Sequence, residues 1–460
     1  MKSYFILPLY IEKTEISYLE EHWEKGCAPV EYKDYKGEQK TSINSSRRNN
    51  FPSGVYPYLY GDADKRTRFY RTVSKEYNNN YEFKISNIQL LLMDSDLCVE
   101  NRIPAQVSLE VEYYDSLSCL DNYSNFVRYL TEDNNGINGY NIYKIIDDNK
   151  LIPGFSLKDF KDFELNMIEP SVFVVTITNI YEAMNKSLNT SPKDIKNLKE
   201  FYRYIHRIAT GKLPSYEAQK KWDIEAPKGL WILGEGDWSV YVRSQGICYY
   251  IPDGNKMSEP ARGYVESFHL DGIMFTLLKE NIIKYYRNYI AKLFTPKLNL
   301  YNTVNINKNI HKVYIAYNMG RNIPRGGQHV GVMNMLFKSR KVQDDIDDIL
   351  DSVGKLEAIN SSERQEKLAK IGITIAVIMI VPSIFAMIAD GISIFNFVAE
   401  SFGWVEKPKF SLDGKEAIFD PSPSIRNIWT GIFSVGVVPA IIIFFFILRK
   451  KLFDFIKKLL

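Results

Sequence analysis

The sequence predicts an α+β cytosolic domain that is followed by a long stalk helix and two transmembrane helices, assembled as an oligomer. Two stretches near the end of the chain contain no charged side chain: residues 371–389, which number 19, and residues 427–448, which number 22. Apolar residues recur at heptad spacing shortly before the first stretch. The earlier part of the chain mixes strand-like and helix-like patterns, as α+β domains do.

Both uncharged stretches are long enough for membrane spans, because about 20 apolar residues in a helix cross roughly 30 Å of hydrocarbon. The connector 390–426 has four basic and six acidic residues, whereas the tail 449–460 has five basic residues and one acidic residue. Basic flanks stay on the cytosolic side of a membrane. We therefore expect both termini in the cytosol, the connector outside, and contact with membrane lipids.

Strand patterns support the α+β assignment. Residues 106–113 alternate strictly between apolar and polar side chains, which predicts a half-buried strand. Residues 171–180 are apolar on both faces and rich in β-branched side chains, which predicts a central strand. The runs 238–242 and 247–251 flank a short polar turn and predict a hairpin.

Two helical patterns follow. Apolar residues at helical spacing predict a helix over residues 268–294. With no proline from 335 to 380, one helix of about 45 residues and about 70 Å is expected to enter the first span. Its heptad seam consists of Val342, Ile346, Ile349, Val353 and Leu356. Such a seam predicts a stalk packed against copies of itself, and the alternative is a helix lying along its own domain.

These patterns divide the chain into six segments. They are a cytosolic α/β sensory domain (1–264), a helical region with the stalk helix (265–370), the first transmembrane helix (371–393), an outer loop (394–426), the second transmembrane helix (427–448) and a basic cytosolic tail (449–460).

One face of the first span predicts a cation path. Small, flexible or polar residues share that face: Gly372, Ala376, Met379, Ser383, Met387 and Asp390. A ring of Asp390 carboxylates at the outer mouth would concentrate cations, and Ser383 would offer a hydroxyl to the ion. The alternative is close helix packing through Gly372 and Ala376, and a strict continuation of the heptad would turn an apolar face inward instead.

Chemical motifs are scarce. The net charge of +3 is too small for a nucleic-acid coat, so no nucleic-acid partner is expected. The four cysteines are isolated, the five histidines are scattered, and neither a P-loop nor a nucleophile elbow occurs. We therefore expect no enzyme, no cofactor and no bound metal, with a divalent cation entering only as a transported ion.

A ligand site is predicted ahead of the stalk. Residues 318–331 are rich in glycine and arginine. Backbone amides at Gly326 and Gly327, with Arg321 and Arg325 beside them, would suit a phosphate-bearing ligand such as a nucleotide. The alternative is a connector with solvated arginines.

The order of the segments resembles the CorA-like family of divalent-cation transporters. The stretches 367–391, 442–460 and 269–289 carry the resemblance. It implies a homopentamer in a bacterial inner (plasma) membrane, with the first span lining the pore. The family places Gly-Met-Asn at the outer end of that span, where this chain has Ala389-Asp390-Gly391-Ile392. Magnesium selectivity is therefore not implied.

A branch of that family is encoded beside type III CRISPR systems, and a large domain without the selectivity motif resembles this branch. We therefore expect a CorA-like membrane ion channel or transporter whose ligand-sensing domain gates a cation path. In that branch it would be an antiviral-defence effector opened by a nucleotide messenger. The alternatives are a constitutive magnesium or divalent-cation transporter and, in another class, a membrane-tethered binding module without transport.

Overall fold

A computed structural model describes most of the first three hundred residues and part of the chain beyond them. The described residues are 1–51, 55–60, 67–78, 80–94, 101–114, 120–131, 140–155, 172–178, 199–212, 215–222, 230–233, 238–252, 256–293, 327–342 and single helical positions between 344 and 375. The chain divides into two compact units, Met1–Ala358 and Ile359–Leu460. Every element named below belongs to the first unit.

The first unit contains both strands and helices. Its strands are β1 (Lys2–Glu12), β2 (Glu24–Lys25), β3 (Val30–Lys33), β4 (Gln39–Ser42), β5 (Arg68–Asn78), β6 (Glu82–Leu92), β7 (Arg102–Tyr113), β8 (Phe173–Thr178), β9 (Leu230–Leu233), β10 (Trp238–Val242) and β11 (Gly246–Tyr250). Its helices are α1 (Glu15–His22), α2 (Asn44–Arg48), α3 (Tyr56–Tyr60), α4 (Leu120–Thr131), α5 (Tyr140–Asp148), α6 (Lys199–Thr210), α7 (Tyr216–Trp222), α8 (Ser258–Tyr264), α9 (Leu270–Leu293) and α10 (Gly327–Ser339).

A mixed sheet of nine strands organises the unit, in the order β2-β5-β6-β7-β1-β8-β11-β10-β9. Neighbouring strands are antiparallel except β8 and β11, which run parallel. Strands β3 and β4 form a separate ribbon. The predicted central strand and hairpin are confirmed as β8 and as the pair β10–β11. The unit is therefore an α+β fold built on a large mixed sheet.

One face of the sheet is aromatic and packs against α4. The Phe126 ring lies within 6.1 Å of the Phe5 ring and 4.7 Å of the Tyr113 ring, measured between centroids. The Tyr123 hydroxyl hydrogen-bonds the hydroxyls of Ser3 at 2.6 Å and Thr176 at 2.7 Å. Packing of this kind buries large apolar areas, and the hydrogen bonds satisfy the buried hydroxyls of Ser3, Tyr123 and Thr176.

The opposite face carries polar side chains, and α9 covers it. Gln106 of β7 accepts a hydrogen bond from Asn281 of α9. Lys2 of β1 lies 2.9 Å from both Glu110 and Glu266. The strand predicted at 106–113 exists within β7, but its polar face is buried as well as its apolar face. The prediction of a half-buried strand is wrong because a helix with matching polar groups covers that face.

Asp271, at the start of α9, forms a buried ion cluster with two arginines. Its carboxylate accepts hydrogen bonds from Arg47 at 3.1 and 3.2 Å, from Arg68 at 2.9 Å and from Tyr60 at 3.3 Å. All three charged side chains have 0% exposure. Arg68 also donates to Gln89 at 2.8 Å. The cluster ties α2, α3 and β5 to α9, and buried charges persist only when paired in this way.

A stacked histidine pair lies next to this cluster, since His269 precedes Asp271 by two residues. His269 ends a π-helical turn, Val265–His269, and its ring stacks on His329 of α10 with centroids 4.5 Å apart. The Tyr249 hydroxyl lies 2.9 Å from Nδ1 of His269. Burial lowers the pKa of His269 to about 3. Burial, followed by the neighbouring His269, lowers the pKa of His329 well below its usual value. Both rings are therefore neutral in the folded protein.

The predicted membrane helices are corrected by the structure. Among the residues it describes, no helix combines the length and the apolar character needed to cross a membrane. Helix α9 has 24 residues, but Asp271, Lys279, Glu280 and Lys284 interrupt its apolar sequence. This finding contradicts three predictions. They are the fold class with two transmembrane helices, the assignment as a membrane channel, and the location in the inner membrane. Of the predicted first span only 371–373 and 375 are described, and 376–460 lie outside the described residues.

The predicted stalk helix is interrupted. Helix α10 begins at Gly327 and ends at Ser339, and Lys341 has a φ of +55°. A residue in the left-handed region cannot continue a right-handed helix. Val342, the first seam residue, is helical and buried, whereas Ile346, Ile349, Val353 and Leu356 lie outside the described residues. The break separates the domain from the helical positions that follow it.

Asp271→Asn is expected to lower the free energy of unfolding by about 3–5 kcal/mol, because it leaves two buried guanidinium groups with one neutral acceptor. Urea unfolding of the purified protein measures this. Asp351→Asn is the matched control, since Asp351 forms an exposed pair with Lys355 and its loss is expected to change stability by less than about 0.5 kcal/mol. Equal effects of the two variants would contradict the stabilising role of the buried cluster.

The histidine pair predicts a loss of stability in acid. A histidine of the unfolded chain gains a proton as the pH falls through about 6.5, whereas the buried rings resist protonation. The free energy of unfolding is therefore highest above pH 6.5. It decreases as the pH falls below 6.5, by up to about 1.4 kcal/mol per pH unit for each histidine. Unfolding curves at several pH values between 7.5 and 5 measure the slope. His329→Phe should reduce the slope, and an unchanged slope would refute the assignment.

Candidate functional site

A cavity of about 340 Å³ opens at one end of the interior strands β8 and β11. It lies where β8 begins and the β10–β11 hairpin turns, between the ends of three helices. Its charged lining consists of Lys212, Glu280, Lys284, Arg340 and Lys341. Four of these five side chains are cationic, so the cavity is the strongest candidate site in the described part of the chain.

Gly246 brings three backbone segments together beneath the cavity. A Cβ atom at this position would lie 2.2 Å from the carbonyl oxygen of Ala209 and 2.5 Å from that of Val174. Side chains do not tolerate contacts of that length with backbone, so only glycine allows β11 to lie this close to α6 and β8. The hairpin turn, and with it one wall of the cavity, depends on the missing side chain.

An ion network forms the floor of the site. Arg340 donates from Nε to Oε2 of Glu280 at 2.5 Å and from Nη2 to Oε1 at 2.7 Å. Its Nη1 donates to the Ser244 carbonyl oxygen at 2.6 Å. Lys284 lies one helical turn from Glu280 and donates to Oε1 at 2.7 Å. The network fastens the end of α10 to α9 and to the hairpin turn.

Glu280 is ionised in this network. Its side chain is only 4% exposed. Burial alone would raise the pKa of its carboxyl, but Arg340 and Lys284 hold the pKa below its usual value. The carboxylate therefore stays negative at neutral pH. Lys212 and Lys341 line the cavity beyond the network.

Three helices end at the cavity: α4 at Thr131, α6 at Thr210 and α10 at Ser339. Each of these hydroxyls donates to a carbonyl three or four residues earlier in its own helix, at 2.8 Å. The oxygen atoms remain available as acceptors at the lining of the cavity. Cations next to helix C-termini are also favourable in themselves, because these ends carry partial negative charge.

The arrangement suits binding of an anion. Its donors are charged and converge on a space large enough for a small molecule. Searched over the residues that the structure describes, the chain holds no group of three or more metal-ligating side chains. Cys27 and Cys248, the buried thiols, do not line the cavity, and burial raises the pKa of Cys27 to about 11. Neither thiol is positioned as a nucleophile there.

Only one of the four predicted ligand residues can be compared with the cavity. Arg321, Arg325 and Gly326 lie outside the described residues, and Gly327 is the first residue of the helix. The cavity lies at the last residue of the same helix, about 18 Å away along its axis. Of the four predicted ligand residues only Gly327 is described, and the structure does not bring it to the cavity.

The predicted pore face lies almost wholly outside the described residues. Gly372 is helical and exposed, with open space around its Cα. The remaining positions, Ala376, Met379, Ser383, Met387 and Asp390, are not among the residues that the structure describes. The predicted pore lining, the homopentamer, the transported cation and the CRISPR-associated role stay predictions.

The sequence analysis missed Glu280, Lys284 and Arg340. A readable signal existed for the first two, because an acid four residues before a lysine forms a pair on one helix face. No local pattern indicates that Arg340 completes this pair, since the contact spans 60 residues of chain. Only the packing of α10 on α9 creates it.

Comparison of the chain with family models, curated proteins and solved structures finds no match.

Gly246→Ala is expected to destabilise the protein by about 1–3 kcal/mol, because the added methyl group collides with two backbone carbonyls. Gly354→Ala is the matched control: Gly354 is helical and exposed, and a Cβ there meets nothing within 4 Å. Alanine at that position should be neutral or stabilising by up to about 1 kcal/mol. Urea unfolding compares the two. A Gly246→Ala protein as stable as the control would contradict the described close approach.

Proposed function

We propose that the unit Met1–Ala358 is a binding domain for a small phosphate-bearing anion, which it holds in the cavity at the end of strands β8 and β11. The observation that carries the proposal is the convergence of four cationic side chains on one cavity, with one carboxylate among the lining residues that the structure describes. Cationic clefts with low-dielectric walls concentrate anionic ligands. Arginine and lysine side chains are the groups that proteins use most often for phosphate.

The dimensions of the cavity set the size of the ligand. A volume of about 340 Å³ lies at the lower end of the range of roughly 300–1,000 Å³ for small-molecule sites. Val127, Val172 and Val174 supply an apolar wall opposite the charged groups. A ligand with one phosphate group and a small apolar or aromatic portion fits this combination of walls.

The position of the cavity supports a sensing role. Arg340 and Lys341 line it and lie between α10 and the helical positions that follow. A ligand there contacts the point at which α10 ends, so its binding energy acts on the geometry of the break at Lys341. The ligand-sensing domain expected from the sequence is thus proposed again, with its site at the end of α10 instead of the loop before it.

Replacement of the cavity lysines tests the proposal. Lys284→Met and Lys341→Met are each expected to weaken binding of inorganic phosphate about tenfold, because each removes a charge-assisted contact of about 1.4 kcal/mol. Isothermal titration calorimetry at low salt measures the affinity, which should also fall as salt rises.

Lys36→Met is the matched control, since Lys36 is exposed on the turn between β3 and β4 and does not line the cavity. Its affinity for phosphate should equal that of the unchanged protein. If the unchanged protein fails to bind phosphate and also fails to bind pyrophosphate, or if Lys36→Met weakens binding as much as the cavity variants do, the proposed function is wrong.

A further inference from the structure

Glu280 occupies the position that an anionic ligand group would otherwise take. Nε and Nη2 of Arg340 form a fork around its carboxylate, and the Lys284 ammonium completes the set of donors. A two-pronged contact of this kind is the usual geometry of arginine with a carboxylate or a phosphate. The strongest phosphate-binding group of the cavity is therefore already paired with a carboxylate of the chain.

The helix ends add further negative character. The C-termini of α4, α6 and α10 all reach the cavity, at Thr131, Thr210 and Ser339. Each C-terminus is equivalent to roughly half a negative charge. These ends lower the positive potential that the cationic side chains among the described lining residues create.

We infer that additional phosphate groups on a ligand gain no affinity in this cavity, so that a phosphate monoester or diester binds as tightly as a polyphosphate, and that Glu280 is the residue that determines this specificity. The inference rests on the proposed function, since it names the charge class of the ligand in the same cavity. A single phosphate group reaches lysines of the cavity lining without displacing Glu280 from Arg340.

A polyphosphate meets a penalty at Glu280. Its further oxygens must either approach the carboxylate or replace it as the partner of Arg340. The first arrangement places like charges within a few ångströms in a partly buried site, where their repulsion is stronger than in water. The second leaves Glu280, which is 4% exposed, without its partner. Both outcomes cancel the attraction that additional phosphate charges would otherwise gain.

The unchanged protein gives the first test. Inorganic phosphate, pyrophosphate and tripolyphosphate are titrated by calorimetry at one ionic strength and without divalent metal ions. We expect dissociation constants that agree within about threefold, because added charge gains nothing. A steady increase of affinity, about tenfold for each added phosphate, would overturn the inference while leaving the proposed function in place. A failure of all three probes to bind would overturn both.

Glu280→Gln gives the second test. Glutamine keeps the shape of the side chain and one acceptor oxygen while removing the charge. We expect the variant to bind tripolyphosphate at least tenfold more tightly than the unchanged protein does, with a smaller gain for phosphate. Glu266→Gln is the matched control, because Glu266 is a largely buried carboxylate that is paired with Lys2 and does not line the cavity.

The control should leave all three affinities unchanged. Equal affinities of Glu280→Gln and the unchanged protein for tripolyphosphate would show that Glu280 does not set the specificity. If Glu280→Gln does not fold, the charge series on the unchanged protein still decides, since it needs no variant.

Discussion

Helix α9 lies on a sheet face that carries polar side chains, and this contact constrains the rest of the unit. Partners that a covering helix supplies for the polar groups around it lower the cost of burying them, because an unpaired buried polar group costs about 1–3 kcal/mol. Asp271 supplies a partner for Arg47 and Arg68, and Asn281 for Gln106. Glu280 supplies one for Arg340. The same set of contacts that seats the helix also builds the floor of the cavity.

The candidate site therefore depends on tertiary structure more than on any loop. Its groups lie on α9, at the ends of α4, α6 and α10, and at a hairpin turn that Gly246 holds against its neighbours. Sites on packed elements are positioned more rigidly than sites on loops. Arg340 connects three of these elements, so any ligand that competes for it acts on the packing of α10 against α9.

Sequence patterns predicted the elements whose signals are local. The β-branched run gave β8, the polar turn between two strand-like runs gave the β10–β11 hairpin, and helical spacing gave most of α9. The alternation along β7 correctly predicted a strand, but it did not predict that both faces are buried. The helix α9 that covers the polar face is distant in sequence, so no local pattern indicates it. No glycine or proline near Lys341 indicates the interruption of the helix there.

The membrane prediction came from runs of uncharged residues, a composition signal that reports length and hydropathy alone. Over the part of the chain with described structure, the long helices carry charges that bind one another or the sheet, as Asp271 and Glu280 do. The candidate site could not be predicted from the sequence for a different reason. Glu280 and Lys284 share a helix face and can be paired from spacing, whereas Arg340 joins them only through folding.

A crystal of the protein soaked in tungstate, a tetrahedral anion that scatters anomalously, tests the central claim most directly. The account predicts one strong anomalous peak in the cavity, within hydrogen-bonding distance of Lys284 or Lys341 and beside Arg340. A cavity without such a peak at saturating tungstate, or a stronger peak elsewhere on the unit, would contradict it.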